Sequence, residues 1–139
     1  MKRIFLDTNV LLDLAQFRDG FNNAVTILQG AYDSRYSICA CVLSYANIAY
    51  VLRKEAQERR YEILSLLADT VPMLPLTPDD VANAIAKPVR DFEDMLQYQC
   101  AKAAGCDVIV TNNKRDFAEF CDLPFMTAEE FLLEFDHQA

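Results

Sequence analysis

The sequence contains no window of about 20 consecutive apolar residues, which is the length that a membrane-spanning helix requires. It also contains no recognisable signal peptide. Asp7 interrupts the first apolar run, and no small-residue cleavage site follows it. We therefore expect a cytoplasmic protein that does not cross a membrane.

The sequence lacks the cysteine and histidine spacing that is typical of zinc sites. Its five cysteines include no CxxC pair, and its one histidine, His137, lies in the C-terminal tail. Cys39 and Cys41 would share one face of a strand, but no histidine is near them in the sequence. This pattern argues against zinc and favours reduced, buried thiols.

Positive charge is also scarce. Thirteen Lys and Arg residues stand against 21 Asp and Glu residues, which gives a net charge of −8. Phosphate backbones repel such a chain at long range, so the charge counts against a generic nucleic-acid binder. It is compatible with an acidic active site that holds a cation, or with a basic protein partner.

The chain of 139 residues is long enough for one hydrophobic core, and 53% of its residues are hydrophobic. Internal repeats, low-complexity tracts and interdomain linkers are absent from the sequence. We therefore predict a single domain over residues 1–139.

Short apolar runs alternate with segments of helical periodicity along the whole chain. Strands are predicted at 2–6, 36–40, 71–76, 107–111 and 125–126. Helices are predicted at 8–17, 21–33, 61–68, 77–88 and 91–104, after Ser44 as an N-cap, and after Thr127. Pro72 and Pro75 suit an edge strand. The pattern predicts a three-layer α/β/α sandwich with a mostly parallel sheet.

Asp7 stands where the first predicted strand ends and the first helix begins. Ligands of open α/β sheets bind at this carboxyl edge of the strands. Asp7 alone can be interpreted either as a helix cap or as part of a binding site.

Three further segments place polar side chains at the same predicted edge. They are Asp91, Glu93 and Asp94 at a helix start, Thr111 to Asp116 after a strand, and Ser44 with Asn47 in a first helical turn. An acidic pocket built from them would attract Mg²⁺, which prefers oxygen ligands. We choose Asp7 and Asp94 as the metal-binding pair.

Several of these residues also have structural interpretations. Asp91 and Asp116 could simply cap helical turns, and the helix dipole alone favours Glu93. Asp13 fits a helix surface or a supporting position. Lys114 and Arg115 fit either a solvated face or phosphate binding.

Four motifs of the sequence resemble those of the PIN domain family, in the expected order and over nearly the whole chain. They are residues 4–12 (IFLDTNVLL), 44–54 (SYANIAYVLRK), 91–97 (DFEDMLQ) and 105–117 (GCDVIVTNNKRDF). The resemblance implies a PIN-like α/β/α fold and a ribonuclease that depends on Mg²⁺ or Mn²⁺. Many small members of this family are toxins that a cognate antitoxin holds, and such proteins are often homodimers.

The resemblance also implies roles for individual residues. Asp7 and Asp94 match the first and third acidic positions of the family. Thr111 matches the hydroxyl that precedes the fourth acidic position, and Asn9 matches the residue that orients the first aspartate. Ser44, Lys114, Arg115 and Asn9 are predicted to bind the RNA substrate.

The sequence departs from the fuller family pattern at two positions, where Asn47 and Asn113 replace acidic residues. Metal affinity should fall, although Glu93 and Asp116 could restore part of the charge if their side chains reach the site. The predicted catalytic set is Asp7, Asn47, Glu93, Asp94, Thr111 and Asn113. The same two departures support an alternative function, a PIN fold that binds RNA or a protein without cleavage.

Overall fold

A computed structural model describes residues 1–138 and contains a five-stranded sheet in the order β3-β2-β1-β4-β5. All four strand pairings are parallel. The strands are β1 (Arg3–Leu6), β2 (Ser37–Cys41), β3 (Met73–Leu74), β4 (Val108–Val110) and β5 (Phe125–Met126). The short strand β3 lies at an edge, as its two flanking prolines predict.

Helices cover both faces of this sheet. They are α1 (Thr8–Ala15), α2 (Phe21–Tyr32), α3 (Val42–Val51), α4 (Gln57–Thr70), α5 (Pro78–Ala86), α6 (Phe92–Ala103), α7 (Lys114–Phe117) and α8 (Ala128–Gln138), with a 3₁₀ turn at Leu52–Lys54. Successive residues of β1 point to opposite faces of the sheet and pack in two separate cores. Ile4 and Leu6 lie in one core, and Phe5 lies in the other. The predicted α/β/α sandwich is confirmed.

Several predicted helix ends are confirmed by the side chains that cap them. The Asp91 carboxylate accepts a hydrogen bond from the backbone N–H of Asp94 (3.0 Å) and caps α6. Thr77 forms a capping box with Asp80 at the start of α5. Gly105, with φ of +69°, follows the last turn of α6, where a left-handed residue favours glycine.

The N-cap prediction for Ser44 was wrong. Strand β2 passes directly into α3, so Cys41 is the N-cap and Ser44 lies in the first turn with its side chain fully buried. Helix α4 begins at Gln57, before the predicted residue 61, and residues 114–117 form a short helix that was not among the predicted ones. Helix α1 ends at Ala15, two residues before the predicted end.

Two further observations concern the length of the helices and the state of the cysteines. Between residues 1 and 138, no helix is both long and apolar enough to cross a membrane. All five cysteines are free thiols, and four of them are buried. The His137 side chain lies outside the part of the structure that is described.

Candidate active site

Strand β1 brings Asp7 to the carboxyl edge of the sheet, where it becomes the N-cap of α1. Its two carboxylate oxygens accept hydrogen bonds from the backbone N–H of Thr8 (2.8 Å) and from the Thr111 hydroxyl (2.9 Å). The side chain is only 2% exposed. Burial raises the pKa of Asp7 from 3.8 to about 6, and the two hydrogen bonds oppose that rise.

Asp94 reaches the same place from the first turn of α6. Burial is the largest cause that raises its pKa, to about 7, and the carboxylates of Asp7, Asp91 and Asp116 raise it further. A hydrogen bond from Asn113 lowers it in part. The carboxyl edge of β1 and the start of α6 thus contribute two buried carboxylates with raised pKa values to one pocket.

Asn113 joins two of these carboxylates. Its amide nitrogen donates to Asp94 Oδ2 (3.1 Å) and to Asp116 Oδ2 (2.7 Å). Asp91, Asp94 and Asp116 each offer one oxygen, and these atoms lie within 4.8 Å of one another. Asp116 therefore belongs to this acidic cluster, so its role is not confined to the short helix α7.

A pocket of about 230 Å³ opens at this edge of the sheet. Six of the ten predicted site residues line it: Asp7, Asn9, Asn47, Glu93, Asp94 and Asn113. The Asn47 amide lies 3.5 Å from Glu93 Oε2, which is the outer limit of a hydrogen bond. Glu93 on α6 thus places a carboxylate beside Asn47 on α3.

The structure does not bring the other four predicted residues into the pocket lining. Thr111 lies fully buried behind Asp7, and its hydroxyl also accepts from the backbone N–H of Asn113 (2.9 Å). Lys114 points away to an ion pair with Glu130 (3.0 Å), and Arg115 is exposed on α7.

Residues 3–115 of the chain match the PIN domain family. The chain belongs to this family. Among curated proteins, the PIN domain is 25% identical over 136 residues to Ribonuclease VapC1 of Aquifex aeolicus, covering 94% of this chain and 93% of that protein.

Solved structures share the fold of this PIN domain at low sequence identity. The DNA-bound VapBC of Salmonella typhimurium has a TM-score of 0.70 at 18% identity, and the match covers 92% of this chain and 99% of that chain. VapBC2 of Rickettsia felis, bound to a promoter DNA fragment, has a TM-score of 0.68 at 15% identity, over 90% and 98%.

Ser44, the fourth predicted residue outside the lining, supports the site of the PIN domain from behind. Its hydroxyl, 0% exposed, lies 2.7 Å from the Thr8 hydroxyl, and the Gln97 amide donates to both oxygens (3.4 and 3.3 Å). Ser44 is therefore not placed to contact a substrate, contrary to the prediction. Gln97 and Thr8 were not among the predicted site residues; the sequence signal for Gln97 is its position one helical turn after Asp94.

The donor set of this PIN domain fits a hard divalent cation. Eight of the eleven residues that line the pocket offer carboxylate or amide oxygens, which Mg²⁺ and Mn²⁺ prefer to sulfur or imidazole. Gln97 Oε1 is a buried acceptor that has no hydrogen-bond partner in the described chain. Clustered carboxylates with raised pKa values are the groups that a bound cation would hold ionised.

Asp13 lies outside this donor set. Its carboxylate is buried and accepts a hydrogen bond from the Asn112 side chain (2.8 Å). A Cβ atom at Gly20 would lie 2.2 Å from Asp13 Oδ2, so the glycine makes room for this carboxylate. Asp13 thus ties α1 to the loop after β4 and does not lie on a helix surface.

Proposed function

We propose that this PIN domain is a ribonuclease that hydrolyses phosphodiester bonds of single-stranded RNA and depends on Mg²⁺ or Mn²⁺. The observation that carries the proposal is the convergence of Asp7 and Asp94, both buried and both with raised pKa, in one pocket. The curated relative from Aquifex aeolicus is named a ribonuclease, which supports this activity.

Asp7 and Asp94 would hold the cation, with Asp116 and Glu93 adding negative charge around it. A bound divalent cation supplies an acidified water and stabilises negative charge on the phosphate. Thr111 fixes Asp7 through its hydroxyl, and Asn113 fixes Asp94 through its amide. These contacts hold the carboxylates in place before a cation binds, which limits the cost of reorganisation.

The alternative is a module that binds RNA or a protein without cleavage. The amides at Asn47 and Asn113 favour it because they remove two negative charges from the family pattern. Against it, Asp91, Glu93 and Asp116 add carboxylates around Asp94, so the local charge remains strongly negative. Calorimetric titration with Mn²⁺ separates the two functions, since a pure binding module needs no cation.

We expect purified protein to cleave single-stranded RNA in Mn²⁺ and to stop when EDTA is added. The physical reason is that the carboxylates alone repel the phosphate and cannot neutralise its developing charge. The measurement is the loss of labelled oligonucleotide on a gel, and re-addition of Mn²⁺ should restore cleavage. Cleavage that continues at full rate in EDTA would contradict the proposal.

A cognate antitoxin is the proposed protein partner. An apolar groove of about 340 Å³ lies between α1, α2 and α4, with Leu14, Phe21, Val25, Ile63 and Leu66 among its lining residues. Such a groove suits the apolar face of an amphipathic helix. Two solved structures with this fold are VapBC assemblies, which supports the proposal.

We expect Leu66→Glu to prevent co-purification with a small DNA-binding protein encoded by the neighbouring gene. The new carboxylate would be buried in an apolar contact without a partner. Leu66 is exposed in the free chain, so the variant should still fold. Leu133→Glu, at an exposed leucine on α8, is the matched control, and equal capture of both variants would exclude the groove.

Two further expectations accompany this function. We propose a cytoplasmic location, where RNA is available as a substrate. A homodimer remains a prediction from the family resemblance, and sedimentation of the isolated protein measures it directly.

A further inference from the structure

A cluster of tyrosine and basic side chains lies on the surface where α3 passes through the 3₁₀ turn into α4. Tyr50 is 65% exposed and Tyr61 is 62% exposed. The Arg53 guanidinium lies 4.1 Å from the centroid of the Tyr50 ring, and the Arg60 guanidinium lies 5.7 Å from that of Tyr61. We name Tyr50, Arg53, Lys54, Arg60 and Tyr61 together the Tyr50 surface.

Both arginines of the Tyr50 surface are held by backbone oxygens rather than by acids. Arg53 donates to the carbonyl of Tyr50 (2.9 Å), and Arg60 donates to the carbonyl of Arg53 (3.3 Å). In the described part of the chain, no carboxylate forms an ion pair with Arg53, Lys54 or Arg60. Their positive charge therefore remains available to an anion from solution.

The local charge is opposite to that of the whole chain. Residues 53–60 carry four of the 13 basic residues and two acids, a net of +2, whereas the chain carries −8. One of those acids, Glu55, already pairs with Arg59 at 3.9 Å. A polyanion that the rest of the protein repels would thus be attracted at this surface.

The Tyr50 surface adjoins the acidic pocket along helix α3. Asn47 and Val51 line the pocket, and Tyr50 lies between them in the sequence. Residues three and four apart share one side of a helix, so the Tyr50 side chain begins next to the pocket lining. A nucleic-acid strand bound at Tyr50 would therefore lie within reach of Asp7 and Asp94.

We propose that the Tyr50 surface binds the single-stranded RNA substrate next to the site of cleavage. A base stacks on the exposed Tyr50 ring beside the Arg53 guanidinium, while Lys54 and Arg60 contact the flanking phosphates. Exposed aromatic rings among unpaired cations suit nucleobases better than an acidic peptide, which has no flat ring to stack. This inference rests on the proposed ribonuclease function for its substrate, but binding itself requires no cleavage.

The test measures binding of a fluorescein-labelled oligouridylate to the full chain in EDTA, where no strand is cut. Tyr50→Ala should weaken binding about tenfold, the scale of one lost base stack, and Tyr50→Phe should retain most of the affinity. Lys54→Ala, which removes one proposed phosphate contact, should lower the slope of log affinity against log salt by about one. Tyr32→Ala and Arg18→Ala are matched controls at exposed positions elsewhere and should leave binding unchanged.

The outcomes separate this inference from the proposed function. Cleavage with an unchanged KM in Tyr50→Ala overturns the Tyr50 surface and leaves the ribonuclease intact. RNA binding that depends on Tyr50, without cleavage by the wild type in Mn²⁺, overturns the ribonuclease only. Absence of wild-type binding overturns the proposal. The proposal is also overturned if polyglutamate competes for the surface as strongly as unlabelled RNA does, because that result would indicate an acidic protein partner.

Discussion

Asp7→Asn should reduce RNA cleavage in Mn²⁺ by more than about a hundredfold. Removal of a residue that only orients a metal ligand typically costs about 10- to 100-fold, so removal of a proposed ligand should cost more. The amide keeps the size of the side chain and one oxygen, but it loses the charge that would hold the cation. The measurement is the cleavage rate at saturating RNA, together with the Mn²⁺ affinity from calorimetry.

Folding of the Asp7→Asn variant is a separate readout. At neutral pH without metal it should melt at a higher temperature than the wild type, because a buried charge has been removed. Asp69→Asn, at an exposed aspartate on α4, is the matched control and should change neither cleavage nor melting. If a well-folded Asp7→Asn variant cleaved RNA at the wild-type rate, Asp7 would be excluded from the reaction.

The metal-free protein should lose stability as the pH rises from about 4 to about 7. Asp7 and Asp94 have pKa values raised to about 6 and about 7, so the folded chain binds protons more tightly than the unfolded chain. Stability therefore falls with rising pH over the range in which the folded chain binds more protons than the unfolded chain. One pKa unit corresponds to about 1.4 kcal/mol. Ionisation of Asp7 alone should therefore lower the free energy of unfolding by about 3 kcal/mol above pH 6.

Urea unfolding in EDTA at pH 5 and pH 8 measures this loss. Mn²⁺ should restore stability at pH 8 and have little effect at pH 5, where protonated carboxyls bind cations poorly. Asp94→Asn should flatten the dependence, since it removes one of the two titrating groups. A metal-free protein that is more stable at pH 8 than at pH 5 would contradict the raised pKa values.

The convergence of Asp7 and Asp94 could be predicted from the sequence because a general rule governs it. Parallel strands end at one edge of the sheet, and a residue that follows β1 must meet a helix that opens at the same edge. The alternation of strands and helices predicted that arrangement without any knowledge of side-chain contacts.

The roles of Ser44 and Gln97 could not be predicted in the same way. Strand β2 turns into α3 without a loop, so no turn residue marks the helix start and Ser44 resembled a cap. Gln97 lies among eight consecutive buried residues, 94–101, of α6. A helix that is buried on every side has no polar stripe to show which side chain faces the site.

The charged start of α4 escaped prediction for a related reason. Only Leu67 of this helix is fully buried, so its first turn carries little hydrophobic periodicity. Residues 57–59 are exposed, so no buried apolar residue marks where the helix begins.

The strand order has a consequence for the time at which the site comes into existence during synthesis. Leu6 of β1 pairs with Val110 of β4, and the backbone N–H of Asp7 donates to the Val110 carbonyl. The hydroxyl that holds Asp7 follows on the next residue, Thr111. A nascent chain carries Asp7 from its first moments, but it cannot complete the pocket until β4 has been translated and has docked beside β1. The ribosome would thus finish most of the chain before the chain could cut RNA.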